Sequence, residues 1–199
     1  MDSNLYQAPS TETIAPELDK QQAALYVVST KKFALLFMLT LGLYGVYWNY
    51  RHWKLLKEHR GANVIPVLRG IFSIFFIHSL LKHINEELGE DNSKDHLMVP
   101  QLAAIYIILN VISSISDRLS ARSETVGIMD FISLILLPFI CAVIANIQQA
   151  ANLSQGDPKG DSNSEMTALN WIWMLMGAAL WLLIIFGFAV MLAPDSIPF

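Results

Sequence analysis

Two ionisable side chains stand inside otherwise apolar runs: Arg69 within Val64 to Leu81, and Asp130 near the start of Gly127 to Ile147. A charge in hydrocarbon is costly unless it is paired or wetted, so such residues point to an ion pair, a solute path or a proton relay. If both runs cross a bilayer, Arg69 and Asp130 fall near the same end of their helices, and one reading pairs them within a helical bundle. The plainer reading has Asp130 capping its helix start, where the macrodipole favours an acid, while Arg69 extends to lipid phosphate.

A second polar group is periodic. Tyr106, Asn110, Ser113 or Ser114, and Asp117 recur at helical spacing and form a stripe on one face of the apolar stretch Leu97 to Ser116. Such a stripe either lines a path for a solute or proton, or hydrogen-bonds across helices and holds a bundle together, at about 0.6 to 2 kcal/mol per contact. In the next apolar stretch Asp130, Ser133, Cys141 and Gln148 align similarly, and Pro138 is expected to kink that helix. Arg69, Asn110 and Asp130 are therefore the candidate intramembrane polar site.

Catalytic and metal-binding patterns are missing from the chain. The five histidines do not build a ligand set: His78 and His83 do not stack on a helix, and His52 and His59 share a face without an acid or cysteine to complete it. No H-E-x-x-H, phosphate loop, G-x-S-x-G or dinucleotide fingerprint occurs, so neither a cofactor nor an enzyme is expected. Cys141 is the single cysteine, which excludes an intramolecular disulfide.

These residues need a membrane to make sense of them. Of 199 residues, 54% are hydrophobic and 15% charged, a balance too apolar for an ordinary soluble domain, and the apolar residues are gathered into long runs. The net charge of -4 supplies no basic field for nucleic acid. Residues 1–30 read as a flexible polar tail without the basic and apolar regions of a cleavable signal. Residues 31–62 form an aromatic and basic membrane-boundary segment, and residues 63–199 a transmembrane bundle with spans at about 64–81, 97–116, 127–147 and 169–193. Gln148 to Ala168 is expected as a polar loop between the last two spans.

The fold class expected is thus an all-α integral membrane protein. Its first apolar segment, Phe33 to Tyr50, is barely long enough to span and is interrupted at Thr40-Leu41-Gly42. With five spans the basic residues divide evenly between the two faces, six and six. If the first segment dips in and returns, the division becomes nine against three, as the positive-inside rule prefers. Four spans plus a broken, re-entrant or interfacial first segment is therefore the preferred topology, with five spans as the alternative. Both put Arg51 to Arg60 and the Asp117 to Val126 loop in the cytoplasm and the two acidic loops outside.

Tyr44, Tyr47, Trp48 and Trp53 fit the headgroup level, where aromatic rings keep a polar edge wet, and Arg51, Lys54, Lys57 and Arg60 follow near one face. These aromatics and cations form the candidate lipid-binding interface, at about 1 kcal/mol per basic residue toward anionic headgroups. The string Thr40 to Trp48, preceded by Lys32-Phe33 and followed by Tyr50-Arg51-His52-Trp53, resembles the T-x-G-[LI]-Y-x-x-Y-W signature of an uncharacterised family of small bacterial membrane proteins, a domain of unknown function. The resemblance covers roughly Tyr26 to Leu88. It implies a multipass protein of the bacterial inner membrane and supplies no catalytic residues.

The function expected is a non-enzymatic membrane component that binds lipid or a partner protein as a scaffold or regulator. The alternative is a small permease using the polar intramembrane face. The partners expected are the phospholipid bilayer and either a membrane protein or a second copy of the chain.

Overall fold

The computed structural model describes residues 23–90, 95–123 and 127–192, and every regular element among them is helical. Seven α-helices follow in order: α1 Thr30–Leu39, α2 Leu43–Arg60, α3 Pro66–Ile71, α4 Ser73–Leu88, α5 Val99–Ser120, α6 Met129–Ser154 and α7 Ala168–Leu192, with a 3-10 turn at Asp161–Asn163. α5, α6 and α7 are long and apolar enough to cross a membrane. The first four helices are not, and they fold as two hairpins against one end of the long ones.

The first hairpin turns at Thr40-Leu41-Gly42. Gly42 adopts a left-handed backbone, φ 87°, and its N–H closes α1 by donating to the Phe37 carbonyl at 2.9 Å. Thr40 ties both helices: its hydroxyl donates to the Leu36 carbonyl at 2.7 Å and accepts from the Tyr44 N–H at 3.0 Å. α1 has 10 residues, about 15 Å at 1.5 Å each, which is half of a ~30 Å hydrocarbon core. α2 then runs back beside it, since Phe33 packs against Tyr44 and Trp48, and Phe37 lies over Gly45. The tip presses on α7 where only glycine fits: a Cβ on Gly177 would lie 2.4 Å from the Leu39 carbonyl oxygen.

The second hairpin differs from the single span expected over 64–81. Pro66 opens α3, and Gly70 packs on the α2 backbone at Val46 and Tyr50, so α3 runs back along α2. Phe72 leaves the helical region at φ −97°, ψ 36°, and α4 climbs the other way. Its far end meets the far end of α2, where Arg60 pairs with Glu87 at 2.5 Å. The return is driven by burial: Ile77, Leu80, Leu81, Ile84 and Leu88 form one face of α4, which packs on α5 and α6. That face continues past residue 81 into polar sequence, so a window averaging hydropathy over 64–81 sees neither the break nor the true helix end.

This return reorders the ends of the bundle. One end holds the start of α1, the ends of α2 and α4, the start of α5 and the 155–167 loop. The joining contacts are Arg60 with Glu87, Asn85 with Leu97, and Lys32 Nζ with Asn163 Oδ1 at 2.7 Å. The other end holds the α5–α6 turn, where Ser120 and the Gly127 N–H meet Asp130. Arg51 to Arg60 and the described part of the Asp117 to Val126 loop are thus separated by the length of α5, about 33 Å for its 22 residues. They had been expected on one face. Both acidic loops lie instead at the end that carries Arg51 to Arg60.

Two further boundaries move. α6 continues through Pro138 to Ser154, so Gln148 to Ser154, expected as loop, is helix. Residues 23–29, expected as the end of a flexible tail, form an irregular, non-helical segment in the core, with Leu25 and Val28 fully buried. The rest of that tail, residues 1–22, lies outside the described residues.

Candidate functional site

The polar stripe of α5 faces a cavity of about 740 Å³. One wall is polar: Tyr106, Asn110, Ser113, Ser114, Asp117 and Ser120 from α5, with Asp130 and Ser133 from α6. The rest of the lining is apolar apart from Ser73 and comes from the hairpin tips at 41–46 and 71–74, from Leu134, Leu137, Ile140 and Ile144 of α6, and from Ile184 and Phe188 of α7. The tips close the cavity toward the hairpin end, while Asp117, Ser120 and Asp130 bring it to the other end of the bundle. The space lies where the tips of two shorter hairpins meet three longer helices.

Within the polar wall most groups are held by neighbours. The Tyr106 hydroxyl meets Ser73 Oγ at 3.1 Å, the Asn110 amide nitrogen donates to the Tyr106 carbonyl at 2.8 Å, and Ser133 Oγ donates to the Ser113 carbonyl at 3.2 Å and to the Asp117 carboxylate. Asp130, in the first turn of α6, accepts from Ser120 Oγ and, at 2.7 Å, from the Gly127 N–H, and so ties the end of α5 and the residue before the helix to the positive end of the α6 dipole. Among the described residues no lysine or arginine lines the cavity. The arrangement can hold a molecule with an apolar body and a hydrogen-bonding or basic head.

Arg69 and Asp130 are not brought together. The Arg69 guanidinium lies over the Trp53 ring, 4.1 Å from its centroid, and 4.8 Å from that of Phe76. Asn110 and Asp130 share the cavity, and Arg69 is outside it. Of the seven residues expected as a lipid interface, Tyr44, Trp48 and Trp53 are fully buried and so form core. Tyr47 and Arg51 are half-buried, Arg51 over the Tyr26 ring at 5.3 Å. Lys54 and Lys57 reach the surface, Lys54 beside Glu58 at 3.8 Å. Among the described residues no group of histidine, cysteine and acids could hold a metal ion.

The buried aromatics surround a polar clasp that the sequence reading missed. The backbone of residues 24–28 is bound by side chains as though it were a peptide ligand. Gln155 Oε1 accepts from the Ala24 N–H at 2.7 Å, and Gln148 Nε2 donates to the Tyr26 carbonyl at 2.9 Å. Asn152 takes both backbone groups of Val28, accepting from its N–H at 3.2 Å and donating to its carbonyl at 2.9 Å. Asn163 donates to the Val27 carbonyl at 2.9 Å. From α2, His52 Nδ1 accepts from the Tyr26 N–H at 3.3 Å, which leaves its proton on Nε2, facing Gln148 Oε1 at 3.4 Å. Trp48 Nε1–H donates to the same oxygen. Burial drives the His52 pKa down to about 3, so the ring is neutral. The legible signal was Gln148, Asn152 and Gln155 at i, i+4 and i+7, one carboxamide face on a helix end that had been taken for loop.

Compared with protein-family models, curated proteins and solved structures, the chain matches none.

Proposed function

We propose that this is a non-enzymatic integral membrane protein that binds an amphiphile in the cavity beneath its hairpin tips. The observation that carries the reading is the cavity's mixed lining, polar along α5 and the start of α6 and apolar from the tips, the middle of α6 and α7. Inside a bilayer such a space suits a lipid-like molecule, whose head can meet Asn110, Ser133 and the two aspartates while its chains meet Leu134, Leu137 and Phe188. In this reading α5, α6 and α7 span, and the two hairpins are re-entrant from one side. Exposed apolar residues on α5 and α7, such as Ile108, Ile115, Leu175 and Leu182, then face acyl chains.

Orientation follows from the basic residues. Lys31, Lys32, Arg51, Lys54, Lys57, Arg60, Lys82 and Lys159 belong to the hairpin end, against Arg118 and Arg122 at the other. The positive-inside rule puts the hairpin end in the cytoplasm of a bacterial inner membrane and opens the cavity toward the opposite side. A permease is the second reading, favoured by one feature: the cavity floor is made of helix tips, which can part without breaking a spanning helix.

The test is retention of bound amphiphile. Protein extracted with its surrounding lipid is analysed by native mass spectrometry, intact and with Asn110→Phe, which fills the polar wall. The intact chain should keep a stoichiometric amphiphile that the variant loses at least fivefold. Equal retention by the two sinks the proposal. In a Cys141→Ala background, Arg122→Cys should label from the non-cytoplasmic side, and labelling from the cytoplasm alone reverses the orientation.

A further inference from the structure

Arg69 is the one cation of the hairpins that lies between an aromatic surface and an apolar one with no acid to meet it. It forms no ion pair among the described residues, and the acids at the end of α4 are engaged elsewhere, Glu87 by Arg60 and Glu86 by His83 at 2.9 Å. Its guanidinium lies over the ring of the fully buried Trp53 and beside that of Phe76, two cation–π contacts that hold its position. The position is displaced along the hairpin. Gly70, next in sequence, packs at Val46 and Tyr50, whereas the guanidinium reaches Trp53, about one helical turn nearer the charged end. Around it in sequence, at the end of α3 and the start of α4, Leu68, Ile71, Phe72 and Phe75 are all exposed.

We infer that Arg69 and the outer face of α3 and the α4 start form a binding site for one anionic phospholipid, its phosphate on the guanidinium and its acyl chains along Leu68, Phe72 and Phe75. A guanidinium held against the Trp53 and Phe76 rings spends none of its five N–H donors on a carboxylate, and its planar fork can take phosphate oxygens two at a time. The uncompensated positive charge selects a headgroup of net negative charge over a zwitterion. The apolar residues lie on the deeper side of the charge, the order in which a lipid presents phosphate and chains. This site is separate from the cavity of α5 and α6, whose lining does not include Arg69. It rests on the membrane placement proposed above, not on the amphiphile in the cavity.

The experiment uses the full chain in nanodiscs of equal phosphatidylcholine and phosphatidylglycerol, with bound lipid read by native mass spectrometry. The intact protein should retain phosphatidylglycerol over phosphatidylcholine. Arg69→Gln should lower that preference about fivefold or more, and Arg69→Lys by less, because the charge stays and the stacked fork is lost. Phe75→Ser, at a side chain 76% exposed and so outside the core, should weaken retention of both lipids. Thermal unfolding in phosphatidylcholine alone checks that each variant is folded. If Arg69→Gln proves unfolded there, Arg69→Lys and Phe75→Ser decide, and retention unchanged in both overturns the site. It is also overturned if the intact chain shows no preference, if Lys54→Gln with Lys57→Gln removes the preference while Arg69→Gln does not, or if inorganic phosphate displaces the lipid. Loss with Asn110→Phe but not with Arg69→Gln would locate the anionic lipid in the cavity instead.

Discussion

The two ends of the bundle are built on opposite principles. At the hairpin end an irregular segment, 23–29, is buried with its backbone polar groups met by Gln148, Asn152, Gln155, Asn163 and His52. At the far end α5 and α7 carry many exposed apolar side chains and leave an open cavity. A helix in lipid satisfies its own backbone and needs few specific ties, whereas an extended segment withdrawn from water needs a partner for nearly every N–H and carbonyl. Stability should therefore concentrate in the clasp, and tolerance to change around the cavity, where a ligand can be accommodated.

The largest expected effect breaks the clasp. Asn152→Leu leaves the N–H and carbonyl of Val28 buried without partners and also removes one of the two acceptors of Gln148 Nε2. At about 1–3 kcal/mol for each stranded group, the variant should lose several kcal/mol. In detergent its unfolding midpoint should drop steeply, and protease should cleave within 23–29. Asn110→Leu, a matched change at the cavity, should shift the midpoint little. Similar losses from the two changes would mean the ends do not divide as argued.

A change of pH sharpens the same contrast without mutation. His52 is neutral in the fold, with its pKa pushed by burial from 6.5 to about 3, while in the unfolded chain it takes up a proton near 6.5. The unfolded state therefore binds more protons throughout that window. Stability is complete above pH 6.5 and falls as pH is lowered toward 3, by up to about 1.4 kcal/mol per pH unit. Protonation would place a hydrogen on Nδ1 against the Tyr26 N–H, so the clasp should be the first part to open. Hydrogen exchange at Tyr26 and Val28 that accelerates between pH 6.5 and 5, with α7 unaffected, is the expected result. Exchange that stays flat there, once corrected for the intrinsic pH dependence, would show that the His52 proton is not linked to the clasp.

What the sequence made legible was periodic. The stripe from Tyr106 to Asp117 and the turn at Thr40-Leu41-Gly42 are local patterns, and the folded chain uses them as spacing implied. The paired reading of Arg69 and Asp130 failed because depth was computed from a span that Phe72 interrupts. A single non-helical residue changes no hydropathy average. The aromatics from Tyr44 to Trp53 have the composition of an interfacial belt, and only tertiary contact distinguishes that from a core packed around Tyr26 and Phe33. The clasp was hidden for a different reason. Backbone groups of an unpatterned segment are the ligands, and no residue type announces them.

The smallest expected effect carries the topology. Arg60 meets Glu87 at 2.5 Å where the ends of α2 and α4 come together, with the arginine 57% exposed, so the pair should contribute under about 1 kcal/mol and weaken with salt. Arg60→Gln alone is then close to silent in stability. Its value lies in the coupling to Glu87→Gln: if 64–81 crossed the membrane, the two residues would face opposite compartments and their effects would add. A double-mutant cycle should instead return a coupling of about 0.2–1 kcal/mol. In a Cys141→Ala background, Arg60→Cys with Glu87→Cys should cross-link within one chain through a short bifunctional reagent. Strict additivity together with no cross-link would return the second hairpin to a spanning helix and remove the floor from the cavity.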